Sequence, residues 1–133
     1  MKKASEESSR CLAVDGNPNA STVRVLVVDD FEPFRQFVCS MLRRTPELQF
    51  IGEASDGLDA VQKAEELRPD LILLDIGLPG QNGIEAAKQI RKLAPQSKIV
   101  LVSQESSRAI VQEAFRVGAL GYVLKIYVLA GIF

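Results

Sequence analysis

Five short apolar runs, separated by stretches of helical period, constrain this chain more than any other feature. The runs are Val23–Val28, Leu48–Ala54, Asp70–Asp75, Lys98–Ser103 and Leu120–Leu124. Between them, apolar residues recur three and four apart: Phe34, Phe37, Val38, Met41 and Leu42; then Leu58, Val61, Ala64 and Leu67; then Ile84, Ala87, Ile90 and Leu93; then Ile110, Val111, Ala114 and Val117. Short continuous apolar runs suit strands buried on both faces, and such strands need helical crossovers between them. Pro46, Pro69, Pro95 and Gly118 stop the four helices. The pattern predicts an α/β fold, a doubly wound five-stranded parallel sheet with helices on both faces.

The 133 residues suffice for one domain. Residues 1–22 are polar and turn-rich and read as a flexible N-terminal extension, without the apolar stretch of a secretory signal. Residues 23–125 carry the alternating pattern. Residues 126–133 form an uncharged apolar tail, or a fifth helix that is short or incomplete. The 16 basic and 17 acidic residues nearly cancel, which argues against contact with nucleic acid or an anionic membrane by this chain. No apolar run has the length of a membrane span. Cys11 lies in the polar leader and Cys39 on a helix, a placement that argues against a structural disulfide and for a reducing, cytoplasmic setting. There is no histidine, so no His-based general base, His metal ligand or phosphohistidine donor exists here.

Ligands of open parallel sheets bind beyond the carboxyl ends of the strands. Those ends carry Asp29 and Asp30, Asp75, Ser103 and Lys125; only the second strand, read as an edge, contributes nothing. Any one of these residues alone is an ordinary turn former, helix cap or solvated charge. Together they converge on one sheet edge. Carboxylates from two strands form a like-charge cluster that needs a cation or a proton to persist. With the backbone carbonyl of Gly77 they offer the all-oxygen donor set that suits Mg2+. A carboxylate there is a ready nucleophile towards phosphorus, and the Lys125 ammonium and Ser103 hydroxyl can neutralise and bind phosphoryl oxygens.

Several stretches of the sequence resemble the receiver domain of two-component response regulators. They are Val27-Val28-Asp29-Asp30, the run from Leu73 through Asp75 and Pro79 to Gly83, Val102-Ser103 and Gly121-Tyr122-Val123-Leu124-Lys125. The stretch Gly52-Glu53-Ala54-Ser55-Asp56-Gly57 and the ending at Lys125 resemble the subfamily with LuxR-type output domains. The resemblance implies a flavodoxin-like strand order 2-1-3-4-5 and a phosphoacceptor role for Asp75. It implies Mg2+ on Asp29, Asp30, Asp75 and the Gly77 carbonyl, and a phosphate-binding and switching set of Lys125, Ser103 and Tyr122. It also implies a histidine kinase or phosphotransfer protein as donor, and a homodimer through the fourth helix, fifth strand and tail.

Gln104 stands where receivers usually carry a small residue, Ile126 where they carry proline or a small polar residue, and the tail replaces a full amphipathic helix. These departures keep a phosphorylation-independent interaction module in play as the alternative. A haloacid-dehalogenase-type phosphohydrolase also uses a strand-end aspartate, but it needs a second Asp two residues on, where this chain has Gly77.

Overall fold

The computed structural model describes residues 22–79, 82–105 and 107–131. Except for Thr22, the expected N-terminal extension lies outside the described residues, as do Gly80, Gln81 and the last two residues of the tail.

The chain alternates β1 (Val23–Val28), α1 (Glu32–Arg43), β2 (Leu48–Ala54), α2 (Gly57–Leu67), β3 (Leu71–Asp75), α3 (Gly83–Leu93), β4 (Lys98–Ser103), α4 (Arg108–Arg116), β5 (Gly121–Leu124) and α5 (Lys125–Leu129). All five strands are parallel, in the order β2-β1-β3-β4-β5. The register sets Val28 beside Leu74 and Asp75 beside Val102, so the carboxyl ends of the three central strands finish together.

Alternation along the strands divides the core in two. Leu26, Val28, Ile72, Leu74, Ile99 and Leu101 face the layer of α2, α3 and α4. Val25, Val27, Leu73 and Val102 face α1, with Phe34, Val38 and Leu42 packed on them and Val128 of α5 alongside. Carried one step past the strands, the same parity sends Asp29, Asp75 and Lys125 towards the α1 and α5 side and Ser103 towards the other.

The helices differ in detail from the sequence expectation. In α2 the buried face is Gly57, Ala60, Val61 and Ala64, while Leu58 is 72% exposed. Small residues win that face because α2 and α3 pack closely, and alanines admit the approach. Leu93 and Leu120 are also exposed, and only Ala114 of α4 is buried. Lys125 opens α5 rather than closing β5. The fifth helix is short, as expected: five residues, with Val128 buried and Ile126, Tyr127 and Leu129 exposed. Cys39 corrects the reading of its thiol: it is buried on α1 and disulfide-bonded, and Cys11, the other cysteine of the sequence, lies outside the described residues. No helix among the described residues is long and apolar enough to cross a membrane.

Gly83 ties the fold to the strand ends. A Cβ there would lie 2.3 Å from the backbone oxygen of Asp75 and 2.6 Å from the Cα of Ile76, neither of which can step aside. Gly83→Ala is therefore expected to lower the urea-measured unfolding free energy by about 2 kcal/mol, a typical overpacking cost. Leu58→Ser, on an exposed site, is expected to change it by no more than about 0.5 kcal/mol.

Candidate phosphoryl-accepting site

Strand sterics decide where the charges go. β1 ends at Val28 and the chain turns into α1 within three residues. Asp29 makes that turn: its Oδ1 accepts the Phe31 amide at 2.8 Å, and its own amide donates to the Ala54 carbonyl at 3.0 Å. Asp75 does the same after β3, with Oδ1 accepting the Gly77 amide at 3.1 Å. These Asx turns aim the second oxygen of each carboxylate at the space between the strands.

Lys125 fills that space. Its Nζ lies 2.8 Å from Asp29 Oδ2 and 3.6 Å from Asp75 Oδ2, and 4.7 Å from the centroid of the Phe34 ring. Asp29 is 1% exposed, Asp75 4% and Lys125 9%. Charges so deeply buried persist only when paired. Asp29 Oδ2 is sealed from solvent and accepts no hydrogen bond, so its contact with Lys125 is an ion pair alone.

Asp30, the exposed member, completes a cluster whose carboxylate oxygens all lie within 4.8 Å of one another. One ammonium against three carboxylates leaves the cluster short of positive charge. Burial pushes the Asp75 carboxyl above its ordinary value, and the Asp29 carboxylate adds to the rise; Lys125 and the Gly77 amide pull it down, and Asp30 pushes it slightly up. An all-oxygen, net-negative set with a buried orphan oxygen fits a hard divalent cation such as Mg2+.

Above the cluster opens a cavity of about 500 Å3, lined by Asp30, Asp75, Gly77, Ser103 and Lys125, with Phe31, Ile76, Gln104, Glu105 and Ile110 at its walls. The structure thus brings together every strand-end residue singled out in the sequence, with Asp29 beneath. Ser103 is buried, and its Oγ accepts the Glu105 amide at 3.0 Å, so its proton stays available to a ligand. Tyr122 does not line the cavity: it is half-buried against the α2–α4 core, and its hydroxyl donates to the Glu105 carbonyl.

Three features escaped the sequence reading. Phe34 has the spacing of a core residue, yet its ring also supports the Lys125 ammonium. β2, expected to contribute nothing, supplies Glu53, whose Oε1 accepts the Arg35 Nε at 2.8 Å while Arg35 Nη1 reaches the Asp29 carbonyl at 2.6 Å. An arginine one turn beyond an Asp-Asp pair, with a glutamate at the end of the next strand, was the available signal. Beside the polar cavity lies an apolar groove of about 560 Å3 between α1 and α5, lined by Pro33, Phe34, Phe37, Ile126 and Leu129; Phe31, Gln104 and Lys125 border both.

Over residues 25–131 the chain matches the response regulator receiver domain family. It is 41% identical over 103 residues to the transcriptional regulatory protein LiaR of Bacillus subtilis, covering 77% of this chain and 49% of that protein. It is 45% identical over 105 residues to the protein-glutamate methylesterase/protein-glutamine glutaminase of Thermotoga maritima, covering 77% of this chain and 30% of that protein. Among solved structures, the signal receiver domain of NarL from Mycobacterium tuberculosis aligns with a TM-score of 0.76 at 35% identity, covering 79% of this chain and 85% of that one. The chain thus spans half or less of these two curated relatives.

The raised Asp75 pKa has a thermodynamic sign. Folding disfavours the Asp75 carboxylate, so its ionisation costs stability above the folded pKa, and that cost fades as pH falls through the folded value towards the ordinary 3.8. In metal-free buffer Asp75→Asn is expected to melt above the wild type at pH 7. The difference should shrink as pH is lowered towards 4, and added Mg2+ should raise the wild-type midpoint more than the variant's. Thermal melts across pH with and without Mg2+ check both statements.

Proposed function

The chain belongs to the response regulator receiver family, and from that premise we propose that Asp75 accepts a phosphoryl group from the phosphohistidine of a histidine kinase or phosphotransfer protein. The observation that carries this is the pairing of one buried ammonium, Lys125, with two buried carboxylates under an open cavity. In the transfer an Asp75 oxygen forms the new O–P bond, the N–P bond breaks, and its electron pair leaves with the donor imidazole. Lys125, already 3.6 Å from Asp75 Oδ2, shifts its ion pair to a phosphoryl oxygen. The Ser103 hydroxyl donates to another.

Asp29, Asp30, Asp75 and the Gly77 carbonyl would hold Mg2+, which when bound neutralises phosphoryl oxygen charge. Tyr122 and Ser103 both meet the segment at Glu105, so drawing Ser103 towards a phosphate changes what the Tyr122 hydroxyl rests on. That coupling biases the surface of α4, β5 and α5 between two states, and a homodimer through this surface is the readout we propose. The chain acts as a signalling switch with self-catalysed phosphorylation and slow hydrolysis, carried by residues 23–125. Among relatives, LiaR is named a transcriptional regulatory protein; for this chain a transcriptional role through a separate output domain is part of the proposal.

Intact mass after incubation with Mg2+ and a small acyl phosphate tests the reading. One phosphoryl adduct is expected, absent in Asp75→Asn and formed about 100-fold more slowly in Lys125→Met, the scale of losing one charge-stabilising donor. No adduct with donor and metal present favours the phosphorylation-independent module, which Gln104 at the cavity wall would suit. Rapid turnover of phosphomonoesters would instead mark a hydrolase.

We place the protein in the cytoplasm, the compartment where phosphohistidine donors of this kind act; the disulfide at Cys39 speaks against it. Rapid alkylation of thiols in intact cells should find Cys39 reduced, and a disulfide recovered under those conditions would overturn the placement.

A further inference from the structure

We infer that Arg35, clamped by Glu53, is a positioning residue for the cation site, fixing the peptide plane from which Asp30 projects. The inference rests on the reading of the acidic cluster as a Mg2+ site.

The β1–α1 turn is fastened at successive points. The Asp29 amide is held by the Ala54 carbonyl and the Phe31 amide by Asp29 Oδ1. Between them the Asp29 carbonyl takes the Arg35 guanidinium at 2.6 Å. A peptide unit is planar, so holding the Asp29 carbonyl also orients the Asp30 amide and the direction in which the Asp30 side chain leaves. Asp30 is the exposed carboxylate of the cluster, and no buried packing steers it.

Arg35 itself is held. Its Nε donates to Glu53 Oε1 at 2.8 Å, and both side chains are largely buried, 14% and 21% exposed. A planar guanidinium with two separate acceptors is fixed in angle as well as distance, which an ammonium with one contact is not. The Glu53 carbonyl accepts Lys63 Nζ at 2.5 Å, so the clamp is anchored on the edge strand and braced from α2.

Charge alone predicts the opposite sign. Arg35 is a cation close to a cation site, and by Coulomb's law its removal would tighten Mg2+ binding. Removing an orienting partner behind a ligand instead weakens binding, typically about tenfold or more.

A Mg2+ titration of the full chain, followed by amide chemical shifts in NMR, separates the two; it needs no phosphodonor. The wild type is expected to bind, and Arg35→Met to bind about tenfold more weakly. Arg35→Lys keeps the charge but loses the two-point grip, and is expected to bind about threefold more weakly. Glu53→Gln, which still accepts from Nε, should stay within about twofold of the wild type. Binding by folded Arg35→Met that equals or exceeds wild type overturns the inference, as does wild-type affinity in Arg35→Lys. A wild type that binds no Mg2+ overturns the reading of the site itself, an outcome distinct from either.

Discussion

The Lys125 ammonium lies between two buried carboxylates, and the arrangement of the surrounding strands can be understood from that contact. Three strands of a parallel sheet end on one edge, and the turn after β1 and the end of β3 each bring a buried aspartate. Without a cation the pair would have to take up a proton or open to water. Lys125 supplies that cation at 2.8 Å and 3.6 Å, and Phe34 supports it from the α1 side. Burial and the Asp29 carboxylate nevertheless hold the Asp75 carboxyl above its ordinary value.

Much of this was legible in the sequence. Continuous apolar runs without alternation give parallel strands, and the doubly wound arrangement then carries Asp29, Asp75, Ser103 and Lys125 to one edge whatever the details of packing. Helix faces were less legible. Leu58 and Leu93 fit the period of a buried stripe, yet alanines take the buried faces of α2 and α3 because close helix approach rewards small residues. Hydrophobic period records which residues are apolar, while interhelix distance decides which of them fit. The disulfide at Cys39 has no sequence signature either, since a lone cysteine on a helix reads as buried filler.

The supporting layer around the site was the least visible. Arg35 and Glu53 are charged residues on elements that look amphipathic, and their positions after the Asp-Asp pair and at the end of the next strand are a weak signal that a solvated pair would also give. Their role depends on β2 lying next to β1, a long-range fact supplied by the strand order. Gly83 is similar: among the breakers of the loop after β3 it looks like another turn residue, and only its approach to the Asp75 carbonyl shows that the α3 start and the end of β3 are in hard contact.

The groove between α1 and α5 has an electrical side. It is lined by Phe34 and Phe37 and shares Phe31, Gln104 and Lys125 with the acidic cavity. Solvent entering that groove would screen the ammonium from one flank. Filling the groove with hydrocarbon would lower the local dielectric and strengthen the pull of Lys125 on both carboxylates, with no atom of the acidic cluster displaced. The polarity of whatever occupies the apolar side would thus set part of the potential felt at Asp75.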